Sequence, residues 1–133
     1  MSPSWFESLL GARIPGEGES VTAHGRQLTI VRGIPRAREF VSEAQGQTRE
    51  AFGFKWAKRD TFEGRLADNM RQWLIEKYGD VTKAEWLFQS GDHPIVLDAG
   101  CGAALSGLAL FEPVLDRVRY IGADVSDAVD VAK

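Results

Sequence analysis

The chain has 133 residues, with 16 Lys and Arg against 19 Asp and Glu for a formal charge of −3, and 44% of its residues are hydrophobic. That composition is too apolar for disorder, no apolar run approaches the ~20 residues a membrane span needs, and no charged-then-apolar leader opens the sequence, so a soluble cytoplasmic protein is expected. Cys101 is the single cysteine and His24 and His93 the only histidines, which excludes intramolecular disulfides and Cys-rich zinc sites and leaves a metal cage unexpected.

In chain order, the first candidate element is a short helix with Ser2 as its cap and Pro3 at the first helical position. Trp5, Phe6, Leu9 and Leu10 precede its stop at Gly11. Gly16, Gly18 and Gly25 read as a flexible stretch, and residues 27–31 (QLTIV) as a short strand ended by a turn at Gly33-Ile34-Pro35. A helix is expected over 42–52, followed by the aromatic segment Phe52-Gly53-Phe54-Lys55-Trp56. The strongest helical pattern comes next: Phe62, Leu66, Met70, Trp73 and Leu74 share one face, which predicts that all five turn into a core, with Gly79 as the stop. Thr82 and Glu85 have the spacing of a capping box, predicting a further helix that buries Trp86 and Leu87.

The pattern then changes. Ile95-Val96-Leu97 is a continuous apolar run, as expected of a parallel strand covered on both faces, and it leads directly into Asp98-Ala99-Gly100-Cys101-Gly102. Residues 103–111 read as a helix, 118–123 as a second strand ending at Asp124, and Ser126 as the cap of a new helix. Strand, glycine loop, helix, strand and acid make a βαβ unit.

Gly100 and Gly102 bring bare backbone close to a ligand at the carboxyl end of a strand, and the following helix offers its positive N-terminus. Asp124, 22 residues after Gly102, can accept hydrogen bonds from both hydroxyls of a ribose. A nicotinamide-dependent oxidoreductase would carry Gly-x-Gly-x-x-Gly, yet Leu105 stands at the third glycine and Asp98 is left without a role. A carboxylate at the strand tip favours a cationic ligand over a pyrophosphate, and an ammonium beside a ribose is what S-adenosylmethionine presents. Cys101, with no base or cation beside it in sequence, reads as a small filler beneath the loop.

These residues carry a resemblance. Val96-Leu97-Asp98-Ala99-Gly100-Cys101-Gly102 resembles motif I of the class I S-adenosylmethionine-dependent methyltransferases, and Tyr120-Ile121-Gly122-Ala123-Asp124-Val125-Ser126 resembles the second-strand motif of the same family. The match spans residues 95–133. It implies an α/β, Rossmann-like fold of which only the first βαβ unit is present, preceded by a mostly helical N-terminal region. It also implies that the backbone of Gly100, Cys101 and Gly102 lines the methionine half of the cofactor, that Asp98 lies near its amino group, that Asp124 holds the ribose and that Val125 lies against the adenine. Ala104 stands where the family often has a third glycine.

Upstream, Gly33-Ile34-Pro35-Arg36 and the stretch 47–56 are similar to the region before motif I in bacterial methyltransferases that begin with a zinc-ribbon-like module, here without its cysteines. That likeness makes residues 1–61 an accessory cap and 62–133 the start of the methyltransferase domain, with Phe54 and Trp56 as candidate contacts to the methyl acceptor. In the family the catalytic groups come mostly from beyond the fourth strand. The chain is therefore expected to be the N-terminal portion of a methyltransferase, binding its cofactor weakly and turning nothing over, with no catalytic residue or acceptor assigned. A third reading is a non-enzymatic RNA- or protein-binding module, since residues 26–59 hold eight basic and three acidic groups with interleaved aromatics, although a solvated basic face accounts for the same pattern.

Overall fold

A computed structural model describes residues 2–37 and 65–132, the side chains of 65–67 excepted, in two units that divide the chain into Met1–Gly46 and Gln47–Lys133. The expected boundary at 61/62, the expected helix over 42–52 and the segment with Phe54 and Trp56 lie outside the described residues.

The first unit opens with helix α1 (Trp5–Leu10), and its cap is Ser4 rather than Ser2. The reason is the residue three positions on. Ser4 has Glu7 there, so its hydroxyl accepts from the Glu7 amide at 3.1 Å while the Glu7 carboxylate accepts from the Ser4 amide at 2.8 Å. Ser2 has Trp5 at that spacing and can form no such box. Gly11, in the left-handed region at φ 67°, ends the helix.

Strands β1 (Ser20–Ala23), β2 (Arg26–Val31) and β3 (Ile34–Ala37) form an antiparallel sheet in the order β1-β2-β3. Both connections are two-residue turns with positive φ at each position: His24 and Gly25 at 49° and 77°, Arg32 and Gly33 at 55° and 72°. Such turns match the twist of the flanking strands. The stretch expected to be flexible therefore contains a strand, and Ile34-Pro35, expected as a turn, lies in β3, paired with Val31 and Ile30. Glu17 secures the second turn by accepting from the amides of Arg32 at 2.6 Å and Gly33 at 2.9 Å. Ile30 is the buried centre of the sheet. The described part of the N-terminal region is thus a sheet with one six-residue helix, not the mostly helical region expected.

The described part of the second unit begins with α2 (Arg65–Tyr78), stopped by Gly79 at φ 82°, whose amide donates to the Ile75 carbonyl at 2.8 Å. Leu74 is buried and Met70 half-buried, whereas Trp73 is 55% exposed, contrary to the single-face expectation. Its ring is covered by Lys77 one turn on, with the ammonium 4.9 Å from the ring centroid. The capping box at Thr82 and Glu85 does not form. Asp80 takes both the amide and the hydroxyl of Thr82, at 3.2 and 2.5 Å, and extended Ala84 splits the segment into two 3₁₀ turns, Val81–Lys83 and Glu85–Phe88. Leu87 is buried as expected, but Trp86 is 60% exposed.

Strands β4 (Ile95–Ala99) and β5 (Arg119–Ala123) pair in parallel, with helix α3 (Leu105–Phe111) between them in sequence. Val96 lies opposite Tyr120 and Asp98 opposite Gly122, so these four residues share one face. On that side Val96, Phe111 and Tyr120 pack against buried Leu87, Val114 and Val118. The other face is open: Ile95 is 49% and Leu97 63% exposed, so β4 is covered on one side, not both. Taken together the described residues are mixed α/β, an antiparallel sheet in one unit and a parallel strand–helix–strand in the other. Among them no helix is long and apolar enough to cross a membrane.

Candidate functional site

The loop between β4 and α3 is shaped by three left-handed residues, Gly100 at φ 78°, Gly102 at 54° and Ala104 at 59°. This backbone turns the chain back onto the end of β5. The amides of Gly100 and Cys101 donate to the Ala123 carbonyl at 2.7 and 3.1 Å, and the Gly102 amide donates to Asp124 Oδ2 at 2.8 Å. Asp124 Oδ1 accepts from the Ser126 amide at 2.7 Å, and Ser126 caps the 3₁₀ turn Asp127–Val131 through the Ala128 amide. The loop amides at 100–102 are therefore committed internally, and what this stretch offers a ligand is carbonyl oxygen and bare Cα. A side chain at Gly100 would point into open space.

Burial works against the charge on Asp124. Hydrogen bonds from the Ser126 hydroxyl and from the amides of Ser126, Gly102 and Val125 outweigh it and hold the carboxyl below its ordinary range. Asp124 is ionised at neutral pH, with the Gly102 amide on Oδ2 and the Ser126 amide on Oδ1.

Asp98 is half-buried beneath the loop, and its Oδ2 accepts the hydroxyl of Tyr120. Burial, with the Asp98 carboxylate beside it, drives the phenol well above its usual range, so Tyr120 keeps its proton as a donor. The pair lies against α3 at Gly107, where a Cβ would stand 2.9 Å from Tyr120 Cζ and closer still to its hydroxyl and to Asp98. Gly122 serves Cys101 in the same way, since a Cβ there would sit 2.8 Å from the sulfur. Burial first, then the charges of Asp98 and Asp124, push the Cys101 thiol up to about 11. It is protonated at neutral pH and donates to the Gly102 carbonyl at 3.5 Å, which fits a filler and leaves no thiolate to attack.

Asp98, Gly100, Cys101, Gly102 and Asp124 thus come together at the carboxyl ends of two parallel strands, with Val125 56% exposed at the rim. Phe54 and Trp56 lie outside the described residues. Reading the sequence assigned no role to Tyr120 or Gly107, although both carried a signal. A tyrosine on the face of β5 that Asp98 shares on β4 is within reach of it, and a glycine inside a short helix marks a close approach. Among the described residues no three His, Cys, Asp or Glu side chains gather as a metal site. No family model, curated protein or solved structure matches the chain.

Proposed function

We propose that the second unit is the cofactor-binding part of a class I S-adenosylmethionine-dependent methyltransferase, a cytoplasmic transferase with a Rossmann-like sheet. The observation that carries this reading is the junction of the glycine loop with the second acid, where the Gly102 amide and Asp124 are bonded at 2.8 Å at the ends of parallel β4 and β5. Asp124, ionised and standing at the end of β5, is the acid that the two ribose hydroxyls would meet. The open space over Gly100 admits a ligand to the backbone, Asp98 presents negative charge to its ammonium, and exposed Val125 offers an apolar contact to its base. When bound, this cofactor supplies a methyl group activated on a sulfonium. A dinucleotide fits less well, because its pyrophosphate would face the carboxylates of Asp98 and Asp124 while the amides at 100–102 are already committed.

Isothermal titration tests the reading. S-adenosylhomocysteine is expected to bind the chain, and Asp124→Ala is expected to weaken it at least roughly tenfold, the scale of one lost hydrogen bond to a charged group. Absence of binding, an identical affinity in Asp124→Ala, or preferential binding of a nicotinamide dinucleotide would each refute it.

A further inference from the structure

We propose that Tyr120 is a positioning residue for the recognition of the ligand's ammonium, acting through Asp98; the inference rests on the cofactor reading above. Among the described residues, Tyr120 is the hydrogen-bond partner of Asp98, and it engages one oxygen, Oδ2, alone. A neutral donor of this kind fixes the carboxylate without neutralising it. An arginine or lysine in the same place would cancel the charge that a cationic ligand needs.

The hydroxyl is itself held from two sides. The Tyr120 ring packs against Phe111, with centroids 6.3 Å apart at 58°, and the absence of a side chain at Gly107 lets the hydroxyl and Oδ2 lie against α3. Rotation of the Asp98 carboxyl is thereby stopped with Oδ2 toward the helix, and Oδ1 is the oxygen left to a ligand. The arrangement discriminates by charge: an amino-acid end with its ammonium is favoured, and a phosphate in the same place is repelled.

The test uses two ligands that share the adenosine and thioether but differ at this end. S-adenosylhomocysteine carries the ammonium, and 5′-methylthioadenosine lacks it. Wild type, Tyr120→Phe, Asp98→Asn and the double variant are titrated with both. Tyr120→Phe is expected to lose about five- to tenfold in affinity for S-adenosylhomocysteine and nothing for 5′-methylthioadenosine, and the double variant to lose no more than Asp98→Asn alone. Equal losses for both ligands, or no loss for either, would overturn the inference while leaving the cofactor reading standing. A wild-type chain that binds neither ligand would remove that reading and the inference with it. If Tyr120→Phe does not fold, tyrosine-labelled wild type decides: the Tyr120 resonances shift with S-adenosylhomocysteine and not with 5′-methylthioadenosine, and identical responses to both ligands refute the role.

Discussion

Gly107→Ala adds one methyl group to the interior of α3, where helix propensity alone would favour alanine by ~1 kcal/mol. The tertiary structure reverses that sign. The new Cβ would meet Tyr120 Cζ at 2.9 Å and overlap its hydroxyl and the Asp98 carboxylate. The ring cannot retreat without losing its packing on Phe111. Overpacking of this kind costs roughly 1–3 kcal/mol, and separating the phenol from a carboxylate costs roughly 1.5–3 kcal/mol more. After the propensity gain is subtracted, a net destabilisation of roughly 1.5–5 kcal/mol is expected, or a fall in melting temperature on the order of 6–40 °C for a unit of this size. Thermal and urea unfolding followed by circular dichroism measure it. In a Tyr120→Leu background the same substitution should lose most of its cost, because the ring and hydroxyl it collides with are gone. A Gly107→Ala protein as stable as wild type would refute the packing of the Tyr120–Asp98 pair against α3.

Three further outcomes are expected. Asp124 has a depressed folded-state pKa, so the stability it contributes is present above its ordinary value of 3.8 and is lost as pH falls through the lower folded value. Acid unfolding curves should therefore be flatter for Asp124→Asn below about pH 4, with about 1 kcal/mol less stability at neutral pH after allowance for its partial exposure. The Cys101 thiol, raised from 9.0 to about 11, should carry on the order of 100-fold less thiolate at neutral pH than in the unfolded chain, so alkylation by iodoacetamide should be slow and should rise about tenfold per pH unit until unfolding exposes it. Ala104→Gly should change stability by less than about 1 kcal/mol in urea unfolding: relief of the left-handed backbone, ~1–2 kcal/mol, is offset by a lost buried methyl of ~0.8 and by unfolded-chain entropy of ~0.4–1.

Features made within a few residues were legible in the sequence. The stop at Gly79, the strand–glycine loop–helix–strand order, the Ser126 cap and the acid ending β5 all follow from local sterics and short-range hydrogen bonds. Two local features were still misread. His24 and Arg32 occupy positive φ in hairpin turns, a conformation uncommon outside glycine, so neither turn, nor the strands β1 and β3 that they join to β2, stands out from the sequence. Thr82 carried a capping pattern that Asp80 captured first.

What periodicity cannot state is what covers a face once it exists. Helical patterns grouped Trp73 with Leu74 and Trp86 with Leu87, yet one of each pair is exposed, and the apolar run of β4 implied cover on both faces where Ile95 and Leu97 are exposed. The candidate site divides the same way. Gly100, Gly102, Asp98 and Asp124 were each visible as chemistry at the end of a strand. Their joining was decided by the parallel register of β4 and β5, which sets Asp98 against Tyr120 and Gly102 against Asp124 across 22 residues of chain. A hydrogen bond between residues so far apart has no local signature, because only the packed sheet and helix hold its two ends in place.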